Sequence, residues 1–366
     1  MKKQRIVVKI GSSSLTNGKG EIDQTKFNDH IAALSVLRKE GHDVIVVSSG
    51  AVAAGFAKLG YSSRPVTIKG KQAAAAVGQG LLMQSYTEKF IAHNIVPAQI
   101  LLTRNDFSNR ERYRNAFETM TELLERGIVP IINENDSVSV EELTFGDNDM
   151  LSALVSGLLH ADQLIILTDI NGLYDSNPHK NPSARRLDHL KQITDDLMKG
   201  AGDTGSKIGT GGMKSKLLAA ETANALGISI FIGTGEGQNK LLKILQGAGD
   251  GTYISNPDIM KINTSRQWIV LHSESTGKLY VDQGAEEALL YNGKSLLPAG
   301  IFNVKGTFVK GDVVEVLGLN GVLGKGEVSY SSDELRKRIE NPNWSRDEDL
   351  LPSPVEVIHR NRWVQL

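Results

Sequence analysis

Short β-branched runs alternate with amphipathic stretches from the N-terminus to about residue 250. Strand-like runs fall at Arg5–Ile10, 43–48, 96–101, 128–132, 163–168 and 229–232. Between them, apolar positions at helical spacing predict helices at 25–40, 70–93, 115–126, 148–160 and 211–226. Several strand runs are apolar throughout instead of alternating. Such strands are buried on both faces, which predicts a three-layer α/β sandwich with a mainly parallel central sheet. Gly41, Gly127 and Gly227 fall just after helical stretches, where C-terminal caps belong.

The pattern changes after about residue 250. The stretch 247–256 is rich in Gly, Asp, Ser and Asn, as a linker is. Further on come short strand candidates at Gly277–Val281, 306–308 and 313–317, one helix candidate at 283–291, and turns at 298–300 and 310–312. The chain therefore reads as an α/β domain over 1–255, a linker over 256–274 and a small β-rich domain over 275–357.

Composition narrows the choices. A chain of 366 residues with a 40% hydrophobic share can bury two cores. Its 41 basic residues nearly cancel 42 acidic ones, so no global charge excess points to nucleic acid. It contains no cysteine, which excludes disulfides and thiolate metal sites. Lys9 and Gly11 interrupt the first apolar run, and no small-residue cleavage site follows, so a signal peptide is not expected. No apolar run approaches the ~20 residues of a transmembrane helix. A soluble cytoplasmic protein is expected.

The chemistry begins at Lys9, a lysine carried to the end of the apolar run Ile6-Val7-Val8-Lys9-Ile10-Gly11. A cation there, facing a turn of small residues, suits phosphate better than solvent. Small-residue loops follow other strands at Ser48-Ser49-Gly50-Ala51 and precede a helix at Gly209-Thr210-Gly211-Gly212. Glycine lets backbone N–H groups approach an anion, and a helix start adds its dipole. Neither G-x-G-x-x-G after the first strand nor G-x-x-x-x-G-K-[ST] is present, so this is neither a dinucleotide-binding Rossmann domain nor a P-loop ATPase by signature. Lys214 and Lys216 both lie just past the glycine loop, and one of them is expected to be an ordinary solvated helix lysine.

Two carboxylate–amide clusters, Asn133-Glu134-Asn135-Asp136 and Gly146-Asp147-Asn148-Asp149, exceed what helix capping needs, although capping alone suits Asp147. They are candidates to bind a substrate ammonium, align the lysines or hold Mg²⁺ through water. Thr168-Asp169-Ile170-Asn171-Gly172 follows a strongly apolar strand, where ligands of open α/β sheets bind. None of the eight histidines lies in these motifs. A kinase acting on a hydroxyl usually wants a base, whereas a carboxylate with pKa near ~4.3 is already ionised. The residues therefore suit a kinase that forms an acyl phosphate.

Taken together, Lys9–Ser13, Ser48–Ala51, Ile131–Asp136, Phe145–Asp149 and Gly209–Met213 resemble the glutamate 5-kinases of the amino-acid kinase superfamily. The C-terminal region resembles a PUA domain. The resemblance implies the amino-acid kinase fold and transfer of the ATP γ-phosphoryl group to the side-chain carboxylate of L-glutamate, the first step from glutamate to proline. It implies that Lys9 and Lys216 stabilise the transferring group and that Asp149 orients them. Ser49, Gly50, Ala51, Asp136 and Asn148 would bind glutamate. Lys9, Thr168, Asp169, Thr210, Gly211, Gly212, Met213, Lys214, Ser215 and Lys216 would hold ATP, with Mg²⁺ carried mainly by the ATP phosphates and no firm protein ligand. It further implies a homo-oligomer (dimer or tetramer), feedback by proline near 135–146, and glutamate-5-semialdehyde dehydrogenase as pathway partner. The reductase domain fused to some homologues is not expected here.

Rival readings are another acid kinase of the superfamily, an RNA-binding protein and a proline sensor without turnover. Arg336, Lys337, Arg338, Arg346 and Arg360 are diluted by Glu286, Glu287, Glu334, Glu340, Asp347, Glu348 and Asp349, so tight, salt-sensitive RNA binding is not expected.

Overall fold

A computed structural model describes residues 2–17, 21–138, 148–176, 178, 181–200, 212–257, 269, 275–341 and 356–365. The chain divides into two compact units, Met1–Phe107 with Glu111–Lys261, and Ser108–Arg110 with Ile262–Leu366.

The larger unit is built on an eight-stranded sheet. Its strands are β1 (Arg5–Ile10), β2 (Asp43–Val47), β3 (Pro97–Leu102), β4 (Val129–Glu134), β5 (Gln163–Leu167), β6 (His189–Leu190), β7 (Ser229–Gly233) and β8 (Gly251–Ile254). They lie in the order β3-β4-β2-β1-β5-β7-β8-β6, with every pair parallel except β7–β8. The chain runs outward from β1 through β2, then returns to lay β5 against the other side of β1. That reversal opens a crevice at the carboxyl ends of the central strands, where open α/β sheets bind ligands.

The two-residue period of the strands sorts their side chains into layers. Ile6, Val8 and Ile10 of β1, Val44 and Val46 of β2, and Ile165 and Leu167 of β5 share one core. Helices α1 (Gln24–Lys39), α3 (Ile68–Ile91) and α7 (Lys240–Leu245) cover that face through Phe27, Ile31, Leu82, Tyr86, Phe90, Leu241 and Ile244. The alternate residues, Val7, Lys9, Ile45, Val47 and Ile166, face the other way and are also buried. Helices α5 (Asp149–Leu158) and α6 (Met213–Ala225) pack there, α5 on β1 and β5, and α6 on β7 and α5. Burial on both faces is why these strands read as continuous apolar runs, and it makes the unit a three-layer sandwich.

Two further helices complete what matters for the crevice. The five-residue α2 (Ala51–Gly55) follows β2, and α4 (Arg110–Glu125) precedes β4. Helix α2 packs against α3 so closely that a Cβ on Gly78 would lie 1.8 Å from the Ala51 carbonyl oxygen. Gly41, Gly127 and Gly227 carry positive φ after their helices, as their positions predict. The segment around 251–254 departs from the linker reading. Ile254 is fully buried, and Gly251–Ile254 pairs antiparallel with Ile230–Gly233, with no Cβ on Gly251 to collide with the Ile232 carbonyl.

The smaller unit has a five-stranded sheet of β9 (Gly277–Val281), β10 (Ile301–Gly306), β11 (Val313–Gly318), β12 (Gly321–Glu327) and β13 (Trp363–Gln365), ordered β10-β9-β11-β12-β13. Its core joins Leu279, Val314, Val316, Phe308 and Trp363. Besides α8 (Gln283–Leu290) it contains α9 (Ser332–Glu340), which the strand-rich pattern hides. The signal for α9 is Ser331-x-x-Glu334, a reciprocal capping box in which the Ser331 hydroxyl accepts from the Glu334 N–H. Strand β13 extends the sheet past residue 357. Among the described residues, no helix is long and apolar enough to cross a membrane.

Candidate active site

The strand alternation that buries Ile10 on one face turns Lys9 toward the helix layer above the other. There Lys9 meets Asp149, the first residue of α5. Lys9 Nζ lies 2.6 Å from Asp149 Oδ1, and their side chains are 1% and 0% exposed. Lys216, one turn into α6, lies 3.3 Å from Asp149 Oδ2. Ser215 donates its hydroxyl to the same oxygen at 2.8 Å. A Cβ on Gly11 would come 3.3 Å from the Lys9 ammonium, so the absence of a side chain there leaves the cation room. Burial pushes the Asp149 carboxyl up, but the Lys9 and Lys216 ammoniums and hydrogen bonds from Lys9 and Ser215 outweigh it and hold the group well below the usual carboxylate range. Two cations share one carboxylate. Their convergence sets two buried ammoniums side by side, an arrangement that suits an anion.

The turn that follows Lys9 is braced by α1. Lys26 Nζ donates to the Ser13 and Thr16 carbonyls at 3.3 and 2.9 Å, and His30 Nε2 donates to the Ser14 carbonyl at 3.1 Å. Burial, reinforced by Lys240, pushes His30 down to about 4, so the ring is neutral with its proton on Nε2.

A second cluster is made of neutral groups. Asn148, adjacent to Asp149, donates its amide to the Ser48 carbonyl, to Asn133 Oδ1 at 2.7 Å and weakly to Ser49 Oγ at 3.4 Å. Asn133, near the end of β4, donates to Gln79 Oε1 of α3 at 2.8 Å and accepts from the Glu134 N–H at 2.9 Å. One α-helical stretch further along α3, the Tyr86 hydroxyl meets Ser48 Oγ at 2.8 Å. Tyr86 is fully buried between Phe27 and Phe90, which pushes its phenol above its ordinary range and keeps it neutral. Gly50 sits at φ +101° as α2 begins, a conformation that strains any residue with a Cβ.

The structure thus brings Lys9, Asp149, Ser215 and Lys216 into one cluster, and Ser49 and Asn148 into its neighbour. Gly50 and Ala51 continue the Ser49 loop into α2. Asp136 stands in the turn after β4. Thr168 follows β5, its N–H donating to the Gly233 carbonyl at 3.0 Å and its hydroxyl to Asp169 at 3.1 Å. Gly212 caps α6, its carbonyl oxygen 2.8 Å from Ser215 Oγ, Met213 opens the helix, and Lys214 is exposed where Lys216 is buried. Gly146, Asp147, Gly209, Thr210, Gly211 and residues 139–146 of the expected inhibitor region lie outside the described residues. Sequence reasoning did not single out Gln79 or Tyr86. Their only mark is a seven-residue spacing on one helix, shared by many core positions.

Residues 4–234 match the amino acid kinase family, and residues 277–341 match the PUA domain. The chain is 65% identical to glutamate 5-kinase 1 of Bacillus licheniformis and 64% identical to glutamate 5-kinase 1 of Bacillus subtilis, each over 100% of both chains. It is 58% identical to glutamate 5-kinase of Bacillus cereus over the same full coverage. The family match spans the three-layer unit from β1 through β7, including Lys9, Asp149 and Lys216, and the full-length likeness extends through the appended β-rich unit. The chain belongs to the glutamate 5-kinases of the amino acid kinase family.

Proposed function

We propose that the two clusters act together to phosphorylate the side-chain carboxylate of L-glutamate with ATP, giving L-glutamyl 5-phosphate and ADP, as the first step of proline biosynthesis. A γ-carboxylate oxygen attacks the γ-phosphorus, and the bond to the bridging oxygen of ADP breaks with its electron pair. The nucleophile needs no base, because a carboxylate with pKa near ~4.3 is ionised at neutral pH. The observation that carries this reading is the convergence of two buried ammoniums, Lys9 and Lys216, on Asp149. Lys9 and Lys216 are fitted to stabilise the equatorial oxygens as the phosphoryl group moves, and Asp149 to hold both ammoniums in place beforehand.

Ser49, Gly50, Ala51, Asp136 and Asn148 bind glutamate in this reading. Thr168, Asp169, Thr210, Gly211, Gly212, Met213, Lys214 and Ser215 bind ATP alongside the two catalytic lysines. Lys216 is favoured over Lys214 for phosphate because its stem is buried against Asp149. Mg²⁺ would ride on the ATP phosphates, where it neutralises charge. Asp149 is not fitted to ligate it, since both its oxygens are engaged by Lys9, Lys216 and Ser215. The acyl phosphate can cyclise onto its own amine, so a reductase such as glutamate-5-semialdehyde dehydrogenase is the expected consumer. Homo-oligomerisation and inhibition by proline are part of the same proposal.

Incubating the protein with ATP, Mg²⁺, L-glutamate and hydroxylamine tests it. Formation of γ-glutamyl hydroxamate is the expected result. Hydroxamate from aspartate or another acid but not from glutamate would retain the kinase and discard this substrate.

A further inference from the structure

We infer that Ser48 is a positioning residue for substrate recognition: its hydroxyl holds the Ser49–Gly50 peptide in the orientation that leaves the Gly50 N–H for a carboxylate. This rests on reading Gly50 as a glutamate contact.

Three consecutive peptide units lead from β2 into α2, and the outer two are tied down without the Ser48 side chain. In the first, the Ser48 carbonyl accepts from Asn148 Nδ2. In the third, the Gly50 carbonyl accepts from the Ala54 N–H at 2.9 Å. The middle unit joins the Ser49 carbonyl to the Gly50 N–H. Among the described residues its one hydrogen bond runs from Ser48 Oγ to the Ser49 carbonyl, at 3.2 Å. Gly50 has φ +101° and ψ 6°, close to the second central residue of a type II turn. Rotating the middle peptide by about 180° gives the type I value of φ, near about −90°, with ψ unchanged. Glycine accepts either conformation. The flanking backbone therefore permits two orientations, and the Ser48 hydroxyl selects one.

Proton counting fixes the sense of the contact. Ser48 Oγ carries one proton and has two oxygens in reach, the Ser49 carbonyl and the Tyr86 hydroxyl at 2.8 Å. The carbonyl can only accept. Tyr86 is fully buried and keeps its proton, and Ser48 is its hydrogen-bond partner. Tyr86 therefore donates to Ser48 Oγ and leaves the Ser48 proton for the carbonyl, which satisfies all three groups. In a planar trans peptide the N–H points opposite to the C=O. Drawing the Ser49 carbonyl toward Ser48 turns the Gly50 N–H the other way, where it makes no hydrogen bond to any described residue. An N–H is a donor only and suits a substrate carboxylate. The flipped peptide would present a carbonyl oxygen to the same anion and repel it.

The test introduces Ser48→Ala into two backgrounds, wild type and Tyr86→Phe, and reads the KM for L-glutamate, the KM for ATP and the melting temperature. In the wild-type background Ser48→Ala strands the buried Tyr86 hydroxyl, so stability falls together with recognition. In the Tyr86→Phe background no hydroxyl is stranded, and Ser48→Ala should change the melting temperature little. The KM for L-glutamate should rise about tenfold on Ser48→Ala in both backgrounds, the scale of one hydrogen bond to a charged group, with the KM for ATP within about twofold. A rise confined to the wild-type background follows the stranded hydroxyl, not the peptide, and overturns the inference. No rise in either background, or an equal rise for ATP, overturns it too. If Ser48→Ala alone does not fold, the Tyr86→Phe background carries the comparison. A wild type that does not phosphorylate L-glutamate at all overturns the reading beneath it, and the inference with it.

Discussion

Asn148 and Asp149 are consecutive residues, yet they anchor two clusters built from opposite materials. Asp149 gathers full charges: two ammoniums and a hydroxyl on one carboxylate, buried to the last atom. Asn148 gathers neutral amides and a backbone carbonyl. The difference follows what each half has to hold. A phosphoryl group in transfer carries charge spread over three oxygens, and fixed cations in a dry site stabilise it without reorganising. An amino acid carries charges of both signs a few bonds apart. Amides of fixed polarity can address each sign without burying further ions. The start of α5 joins the two halves, so in the proposed reaction the nucleophile and the phosphate would meet where that helix begins.

The comparison is broken most severely at Asp149. Asp149→Asn removes the carboxylate that Lys9 and Lys216 share, a loss of about 3–5 kcal/mol by the usual cost of splitting a buried pair. Chemical denaturation should report that fall, and turnover should fall with it. Lys9→Met removes one cation and leaves Asp149 paired with Lys216. Its expected effect is a loss of about 10²–10³-fold in kcat with the fold retained, measured by hydroxamate formation and by melting temperature.

Acid stability sharpens the same contrast. Asp149 has a depressed pKa, so its contribution is complete above the ordinary carboxylate range and fades only as pH falls toward the depressed value. His30 behaves otherwise. Held near 4 in the fold, it is neutral while the unfolded chain takes up a proton below its ordinary 6.5, so stability is lost as pH falls through that window. The loss amounts to about 3 kcal/mol by linkage. His30→Gln should flatten the slope of melting temperature against pH between those values, while the Asp149 cluster stays silent there. The smallest effect belongs to Lys214. It is exposed and lies outside the Asp149 cluster, so as an ATP contact it offers one solvent-screened charge, and Lys214→Ala should change kcat/KM by about twofold or less.

Much of this site is legible before any folding is considered, for a physical reason. Lys9 ends a strand buried on both faces, so it cannot be an ordinary surface lysine, and its neighbours in the run advertise that. The choice between Lys214 and Lys216 is not legible. They differ only in which side of α6 they occupy, and that depends on α5 lying alongside. The Lys9–Asp149 and Asp149–Lys216 pairs span most of the unit in sequence and exist only because β1, α5 and α6 converge. Gln79 is hidden for a different reason. In Ala73-Ala74-Ala75-Ala76-Val77-Gly78-Gln79-Gly80 a glutamine looks like a solvated helix residue, and only the close approach of α2 and α3, permitted by Gly55 and Gly78, turns it toward β4. Strand β8 is masked by the glycines that let it pair tightly with β7.

The account stands on transfer of phosphorus to a carboxylate oxygen. L-glutamate labelled with ¹⁸O in its γ-carboxylate, incubated with ATP, Mg²⁺ and hydroxylamine, measures that step directly. Hydroxylamine attacks the acyl carbon, and the phosphate leaves with the oxygen that joined it to glutamate. The prediction is inorganic phosphate carrying one ¹⁸O by ³¹P NMR, formed in step with the hydroxamate. Phosphate released with no label would mean that water, not the carboxylate, is the nucleophile, and would contradict the account.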